Sequence, residues 1–341
     1  MLTSAEVAIA FSDGVERSLR VEPGQSVLDA AIAADIPLLH QCTSGSCGTC
    51  IARLETGRAE VMAGASSSLL PAEQAEGLRL LCVTEPKSDC RFSLAYDSKA
   101  GAGHPATVRC FVNAVERIAS DVMRLELELA EGFWMDFRPG QFVQVKVPGT
   151  EELRSYSLAT TTRDLPRLEL LIRLLPGGVM SDWLLHRAAP DDILEVTGPY
   201  GSFFLKEKVR APHVMIAGGT GLAPMLSMVD AIRAAPGNKP PIILSFGCQT
   251  PEALFALEQL DLRRQWLPSL DTRISVDRGT PPDGISVGNP VAAITAADGL
   301  TADSVAYLCG PPAMIQAARD HLETLGLSKE NIFSEQFTAS N

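Results

Sequence analysis

The sequence predicts a multidomain chain of α+β and α/β architecture: a small β-grasp domain, an antiparallel β-barrel and a doubly wound parallel sheet, in that order. Three observations carry this expectation. Short alternating strands near the N-terminus lead into a cysteine-rich loop at residues 42–50, a central stretch is strand upon strand with Pro and Gly punctuation, and from Ala211 onward strands alternate with helical stretches. At 341 residues, 46% of them hydrophobic, the chain can bury two or three separate cores.

In the first segment, residues 1–97, VAIAF and ERSLRV alternate as half-buried strands do, and Ser26 to Ala34 has the amphipathic pattern of a helix. The stretch DSKAGAGHPAT is rich in Gly, Ala and Pro and poor in large apolar residues, so residues 98–106 read as a linker. Residues 107–208 carry FVQVKV, RSYSLA, LELLIRLL and ILEVTG, the pattern of an antiparallel barrel. Residues 209–341 run HVMIA, PMLSMVDAIRAA, IILSFG, TRISVD, SVAYLCG and AMIQAARDHLETLG, the alternation of a doubly wound sheet that binds a dinucleotide.

Cys42, Cys47 and Cys50 form a C-x4-C-x2-C run that Cys82 completes, the ligand spacing of a plant-type [2Fe-2S] cluster. Four thiolates are needed to hold two irons and two sulfides, and Gly45 and Gly48, with Ser44, Ser46 and Thr49, let a short loop turn its N–H groups toward sulfur. The rival reading is a four-cysteine zinc site, but structural zinc usually draws on two C-x2-C knuckles and only Cys47 and Cys50 form one. Cys90, Cys110, Cys248 and Cys309 show no disulfide spacing, which points to a reducing compartment, and the five histidines show no metal spacing. Cys90, Cys110 and Cys248 read as packing residues, and Trp134, Trp183 and Trp266 as core.

No apolar run reaches transmembrane length and MLTSAEVAIAF lacks a basic n-region, so the expectation is a cytoplasmic, monomeric protein without membrane contact. The net charge of −12 argues against nucleic acid as a partner and suits docking onto a basic protein surface. Glu73, Glu76 and Glu85, near Cys82 and expected to be exposed, are candidate docking acids; a merely solvated face is the alternative. In AGGTGLAP, Gly218, Gly219, Thr220 and Gly221 stand between a strand and a helix, where glycines let N–H groups meet a pyrophosphate. Pro224 replaces the third glycine of the usual fingerprint, and alone this match equally describes a turn without ligand.

Further motifs reach a family. RSYS at 154–157, GGVMS at 177–181, GPYGSF at 198–203, the GGTG turn, CGPP at 309–312 and the terminal EQF at 335–337 resemble the ferredoxin-NADP reductase superfamily. With the cysteine segment in front, the whole chain resembles the reductase component of bacterial multicomponent oxygenases, of the benzoate dioxygenase and soluble methane monooxygenase type.

This resemblance implies site residues. Arg154 would pair with the flavin pyrophosphate, Tyr156 would pack on the isoalloxazine and Ser157 would meet its N5 edge, with Ser155, Ile172, Arg173, Gly177, Gly178, Val179, Met180, Ser181 and Phe337 completing an FAD site. The chemistry agrees: a guanidinium fork suits phosphate, a phenol offers a flat face and a hydroxyl can follow a protonation change. Gly218, Gly219, Thr220, Gly221, Gly310 and Pro311 would bind NAD, while Ser157, Cys309 and Glu335 would be catalytic. SFGCQTPEALF offers Gln249, Thr250 and Glu252 and no base after the second strand of the nucleotide fold, which favours NADH over NADPH. The resemblance implies electron flow from NADH through FAD and the [2Fe-2S] cluster to a terminal oxygenase, Rieske or di-iron. The alternatives are a self-contained reductase serving a ferredoxin or cytochrome, and a zinc module fused to a non-redox nucleotide binder.

Overall fold

The computed structural model describes residues 4–101, 105–206 and 209–337. It divides into two compact units, one running to Pro105 with Tyr200–Ser202, the other comprising Ala106–Pro199 and the chain from Phe203 onward.

In the first unit, β1 (Ala5–Ala10) buries Val7 and Ile9 and pairs antiparallel with β2 (Glu16–Val21). Helix α1 (Val27–Ala33) follows, its N-terminus capped by Ser26, whose Oγ accepts the Asp29 N–H at 3.0 Å. The remaining elements are β3 (Ile51–Thr56), β4 (Ala59–Val61), α2 (Pro71–Ala75), β5 (Leu78–Leu80), β6 (Thr84–Pro86) and β7 (Cys90–Ser93). The main sheet has the order β2-β1-β7-β3-β5, with β1 and β7 parallel, and β4 pairs with β6. The unit is thus the expected β-grasp, and the cysteine loop connects α1 to β3.

Glu73 is not the exposed acid expected from the sequence. It is 2% exposed, because it occupies the third position of α2 and folds back to accept the Leu70 N–H at 2.9 Å. Glu85 is tied down as well, accepting from the Gly24 N–H at 3.0 Å and from Lys87 at 2.6 Å, and Glu76 is half-buried. Glu73 and Glu85, on either side of Cys82, are therefore spent on local structure.

The second unit begins with β8 (Ala106–Ala119), β9 (Val122–Leu129), β10 (Phe142–Lys146), β11 (Leu153–Ser157), β12 (Arg167–Arg173), α3 (Val179–His186) and β13 (Ile193–Tyr200). The sheet order is β11-β10-β13-β8-β9-β12, and a bridge between Leu158 and Leu170 joins its two ends, so the sheet closes into a barrel. Alternate residues such as Leu125 and Leu127, Val143 and Val145, and Leu168 and Leu170 fill it, together with Met180, Trp183 and Leu184 from α3. Of the three tryptophans expected in cores only Trp183 is buried. Trp134 lies in a surface loop, 65% exposed, and Trp266 is 58% exposed with its ring beneath the Arg233 guanidinium.

The chain continues through β14 (His213–Gly218), α4 (Leu222–Ala234), β15 (Ile242–Cys248), α5 (Leu257–Trp266), β16 (Leu270–Val276), β17 (Ser286–Val287), β18 (Val305–Gly310), α6 (Pro312–Thr324) and β19 (Ile332–Gln336). All six strands are parallel in the order β17-β16-β15-β14-β18-β19, which reverses direction between β14 and β18. That switch point, at the strands' carboxyl ends, is where such sheets bind dinucleotides. No α-helix connects β16 to β18, only β17 and a single 3-10 turn at Ala296–Asp298. The connection is pinned instead by Arg273 to Asp298 at 2.5 Å and by Ser245 Oγ to the Pro290 carbonyl at 2.6 Å. Val122, Ala159, Leu171 and Phe203 join the nucleotide-segment core, so barrel and parallel sheet share one hydrophobic interior. Ser227 Oγ donates to the Thr160 carbonyl at 2.6 Å, a further tie between them.

Replacing Glu73 with Ala should destabilise the first unit by about 1 kcal/mol through the lost cap, measured by denaturant unfolding, while leaving the salt dependence of electron transfer to an acceptor unchanged.

Candidate functional site

The cysteine loop is shaped by two glycines in left-handed backbone, Gly45 at φ +78° and Gly48 at φ +74°. At Gly45 a Cβ would lie 2.1 Å from the Ser66 carbonyl oxygen, so only glycine fits between the loop and the segment crossing it. The turn brings the Ser44 and Cys47 N–H groups 3.5 and 3.3 Å from Cys42 Sγ, and the Cys82 N–H 3.5 Å from Cys50 Sγ. The Gly45 N–H faces Cys82, and Cys47 Sγ contacts the Thr49 hydroxyl at 3.3 Å.

All four cysteines are free, and hydrogen bonds join their sulfurs in the chain Cys47, Cys42, Cys82, Cys50. Sharing protons with Cys47 and Cys82 holds Cys42 far below the usual thiol range and pushes those two partners up. Among the described residues no three or more potential ligands converge on a single-ion position. Four adjoining thiols ringed by amide donors suit a two-iron cluster, where thiolates replace these S–H contacts and the N–H groups offset the charge of sulfur.

The second constellation lies where the barrel meets the sheet. Ser157, buried at the end of β11, donates from Oγ to Glu335 Oε2 at 3.1 Å. Glu335 on β19 stands in register with Cys309 on β18, so the three residues expected to be catalytic come together from strands far apart in sequence. Burial pushes the Glu335 carboxyl up to about 7, against the lowering effect of the Ser157 hydrogen bond. Cys309 is fully buried, and burial followed by the Glu335 charge raises its thiol well above the usual range.

Around these residues Arg154 and Tyr156 share one face of β11, and Arg154 pairs with Glu152. Gly177, at φ +71° with open space before its Cα, leads into α3, whose Ser181 Oγ accepts the Leu175 N–H at 2.8 Å and fixes the turn. Ser155 is exposed, Val179 packs against the barrel core, and Ile172 and Met180 are spent inside it, so only their backbones are left to meet a cofactor. Arg173 pairs with Asp121 at 3.3 Å.

After β14 the chain makes a tight turn through Gly219, Thr220 and Gly221 into α4. A Cβ at Gly219 would point into open space, whereas one at Gly221 would lie 2.3 Å from the Cys309 carbonyl oxygen. The turn therefore packs flush on β18 while leaving one side clear, the shape a pyrophosphate requires. Pro311 caps α6, and the Phe337 N–H donates to the Gly310 carbonyl at 3.0 Å, tying the terminal EQF segment to CGPP. The residues TASN beyond Phe337 lie outside the described residues.

Sequence reasoning missed Asp277 and Arg278. Their N–H groups donate to the carbonyls of Cys248 and Gln249 at 3.0 and 3.1 Å, which sets both beside the end of β15. The available signal was topological: β16 lies next to β15, so the residues ending it share the same edge.

Three domain families match in succession: a 2Fe-2S iron-sulfur cluster binding domain over residues 10–87, an oxidoreductase FAD-binding domain over 109–205 and an oxidoreductase NAD-binding domain over 215–320. The propane 2-monooxygenase reductase component of Rhodococcus jostii is 34% identical, with 95% of this chain and 90% of the relative covered. The toluate 1,2-dioxygenase electron transfer component of Pseudomonas putida is 31% identical, covering 98% and 99%. The chain belongs to the family of oxygenase reductase components. Its members bind a [2Fe-2S] cluster, FAD and NAD on one chain, and this reductase is an oxidoreductase of that architecture. The solved structure of the Amycolatopsis cytochrome P450 reductase GcoB matches with a TM-score of 0.72 at 31% identity, covering 98% of this reductase and 100% of that chain. Among the described residues no helix of the reductase is long and apolar enough to cross a membrane.

In the reductase, Cys47→Ser should abolish the iron-sulfur absorbance and lower cytochrome c reduction at least about tenfold, while ferricyanide reduction by NADH and bound flavin persist. Loss of flavin together with the cluster would contradict the assignment of the two groups to separate compact units.

Proposed function

We propose that this reductase oxidises NADH at the junction of barrel and parallel sheet and delivers single electrons, through a cluster on Cys42, Cys47, Cys50 and Cys82, to the terminal oxygenase of a multicomponent system. The observation that carries it is the convergence of Ser157, Cys309 and Glu335 at the switch point of the sheet. When bound, the flavin supplies the conversion between a hydride donor and a one-electron carrier. Arg154 and the turn at Gly177 and Gly178 hold its pyrophosphate, and Tyr156 offers a ring face to its aromatic system. The GGTG turn and the start of α4 receive the dinucleotide phosphates, while Cys309, Gly310 and Pro311 border the nicotinamide. Ser157 holds a proton between its Oγ and Glu335, where it would serve the reacting edge of a bound flavin.

Asp277 adds to the NADH reading. A carboxylate beside the end of β15 accepts hydrogen bonds from a ribose diol and repels a 2′-phosphate. An oxygenase as acceptor is supported by the relatives, which are named as components of a propane 2-monooxygenase and a toluate 1,2-dioxygenase. The likeness to GcoB favours one second reading, delivery to a cytochrome P450. We read the protein as a cytoplasmic monomer. Reconstituting the purified reductase with a diiron monooxygenase, a Rieske dioxygenase and a P450, each with its substrate, separates these acceptors by product formation.

The specificity constant for NADH should exceed that for NADPH by at least about tenfold, equivalent to about 1.4 kcal/mol, in stopped-flow flavin reduction, and Asp277→Ser should narrow the gap. Equal rates in the native protein would reject the role of Asp277. For Glu335, the folded value of about 7 lies above the ordinary 4.5. Its stabilising contribution is thus fully present below 4.5 and lost as pH rises through 7. Flavin reduction at saturating NADH should change with an apparent pKa of about 7, and Glu335→Gln should lose that step and run about ten- to hundredfold slower.

A further inference from the structure

The chain leaving the last strand of the first unit does not hang free. Tyr96 is 2% exposed, and its phenol oxygen accepts the Leu39 N–H at 3.1 Å. Its ring meets Phe11 edge-on, with centroids 6.1 Å apart, and its carbonyl accepts the Ser12 N–H at 3.0 Å. The next turn is fastened by Ser98, whose N–H and Oγ both donate to Asp13 at 3.1 and 2.7 Å. Gly101 then lies so close to Pro37 that a Cβ there would come within 2.1 Å of its carbonyl oxygen. Residues 98–101, expected as linker, are therefore folded onto Asp13 and Pro37, just beyond the Tyr96 contact with Leu39; residues 102–104 lie outside the described residues.

Pro37 and Leu39 belong to the irregular stretch that leads into the cysteine loop. Leu39 stands three residues before Cys42, and its buried amide has the Tyr96 oxygen as partner in place of any strand or helix. The phenol thus serves the approach to the first ligand.

We propose that Tyr96 and Gly101 are positioning residues for the iron-sulfur centre, forming a clasp through which the root of the linker fixes the backbone entering the ligand loop. The inference rests on Cys42, Cys47, Cys50 and Cys82 holding the cluster. Cluster potential and geometry then depend on the linker root as well as on the ligand loop. The clasp makes the emergence of the linker part of the cluster's environment.

The test uses the full-length holoprotein. Tyr96→Phe keeps the ring against Phe11 and removes only the hydroxyl, Gly101→Ala pushes the linker root off Pro37, and Lys99→Ala, an exposed linker position, is the control. Iron, sulfide and flavin content is measured first; wild-type content in all three variants shows that the cofactors still assemble. Both clasp variants should then alter the g-values of the reduced cluster, shift its midpoint potential, and release iron to a chelator roughly fivefold or more faster, while the control matches wild type. Native g-values, potential and release rate in Tyr96→Phe would overturn the proposal, as would an equal change in Lys99→Ala. If Gly101→Ala fails to fold, Tyr96→Phe alone decides. Loss of all cluster from Cys42→Ser is the separate outcome that reads the ligand assignment, whichever way the clasp variants behave.

Discussion

The reductase half depends on the contact between Ser157 and Glu335, which spans 178 positions of sequence to join the barrel to the parallel sheet. A hydride passes only over a short distance and in one orientation, so the proposed reaction needs the barrel and the parallel sheet fixed against each other. The shared core of Val122, Ala159, Leu171 and Phe203 with the sheet interior supplies that rigidity. The Ser227 to Thr160 hydrogen bond adds a specific register to nondirectional packing. Burial of Glu335 follows from the same closeness, and it is what moves this carboxyl into the range where a proton can be held or released near neutral pH.

The iron-sulfur half obeys a different constraint. Its loop must turn many N–H groups inward while another backbone segment presses on it, and Gly45 is the position where both demands meet. A side chain there would have to displace the Ser66 carbonyl, so the residue is fixed by space as well as by its dihedral angle. Small hydroxyl residues between the ligands then serve as local acceptors and donors without crowding the sulfurs.

Much of this was legible in the sequence because it is written in local spacing. The cysteine spacing, the alternation of β1, the helical pattern from Ser26 to Ala34 and the βα rhythm after Ala211 all act over a few residues. Helix α5 was missed because LEQLDLRRQW buries one residue, Leu260, and lacks an apolar face. Asp277 was missed because its place depends on which strand lies beside β15, a fact of topology. Glu73 was misjudged for the opposite reason: a charged residue near the ligands looked like surface, while a proline-led helix start captured it as a cap. The exposed Trp134 and Trp266 show that size and apolarity alone do not place a residue in a core.

Glu335 belongs to β19, which pairs with β18 on one side and, among the described residues, with no strand on the other. Its five residues are mostly half-buried, in contrast to the wholly buried β15 and β18. An edge strand of this kind opens at lower free energy than the centre of its sheet, since fewer contacts are lost. Glu335 thus rides on an edge element, and brief local opening of β19 would uncover it while the wholly buried β15 and β18 stay folded.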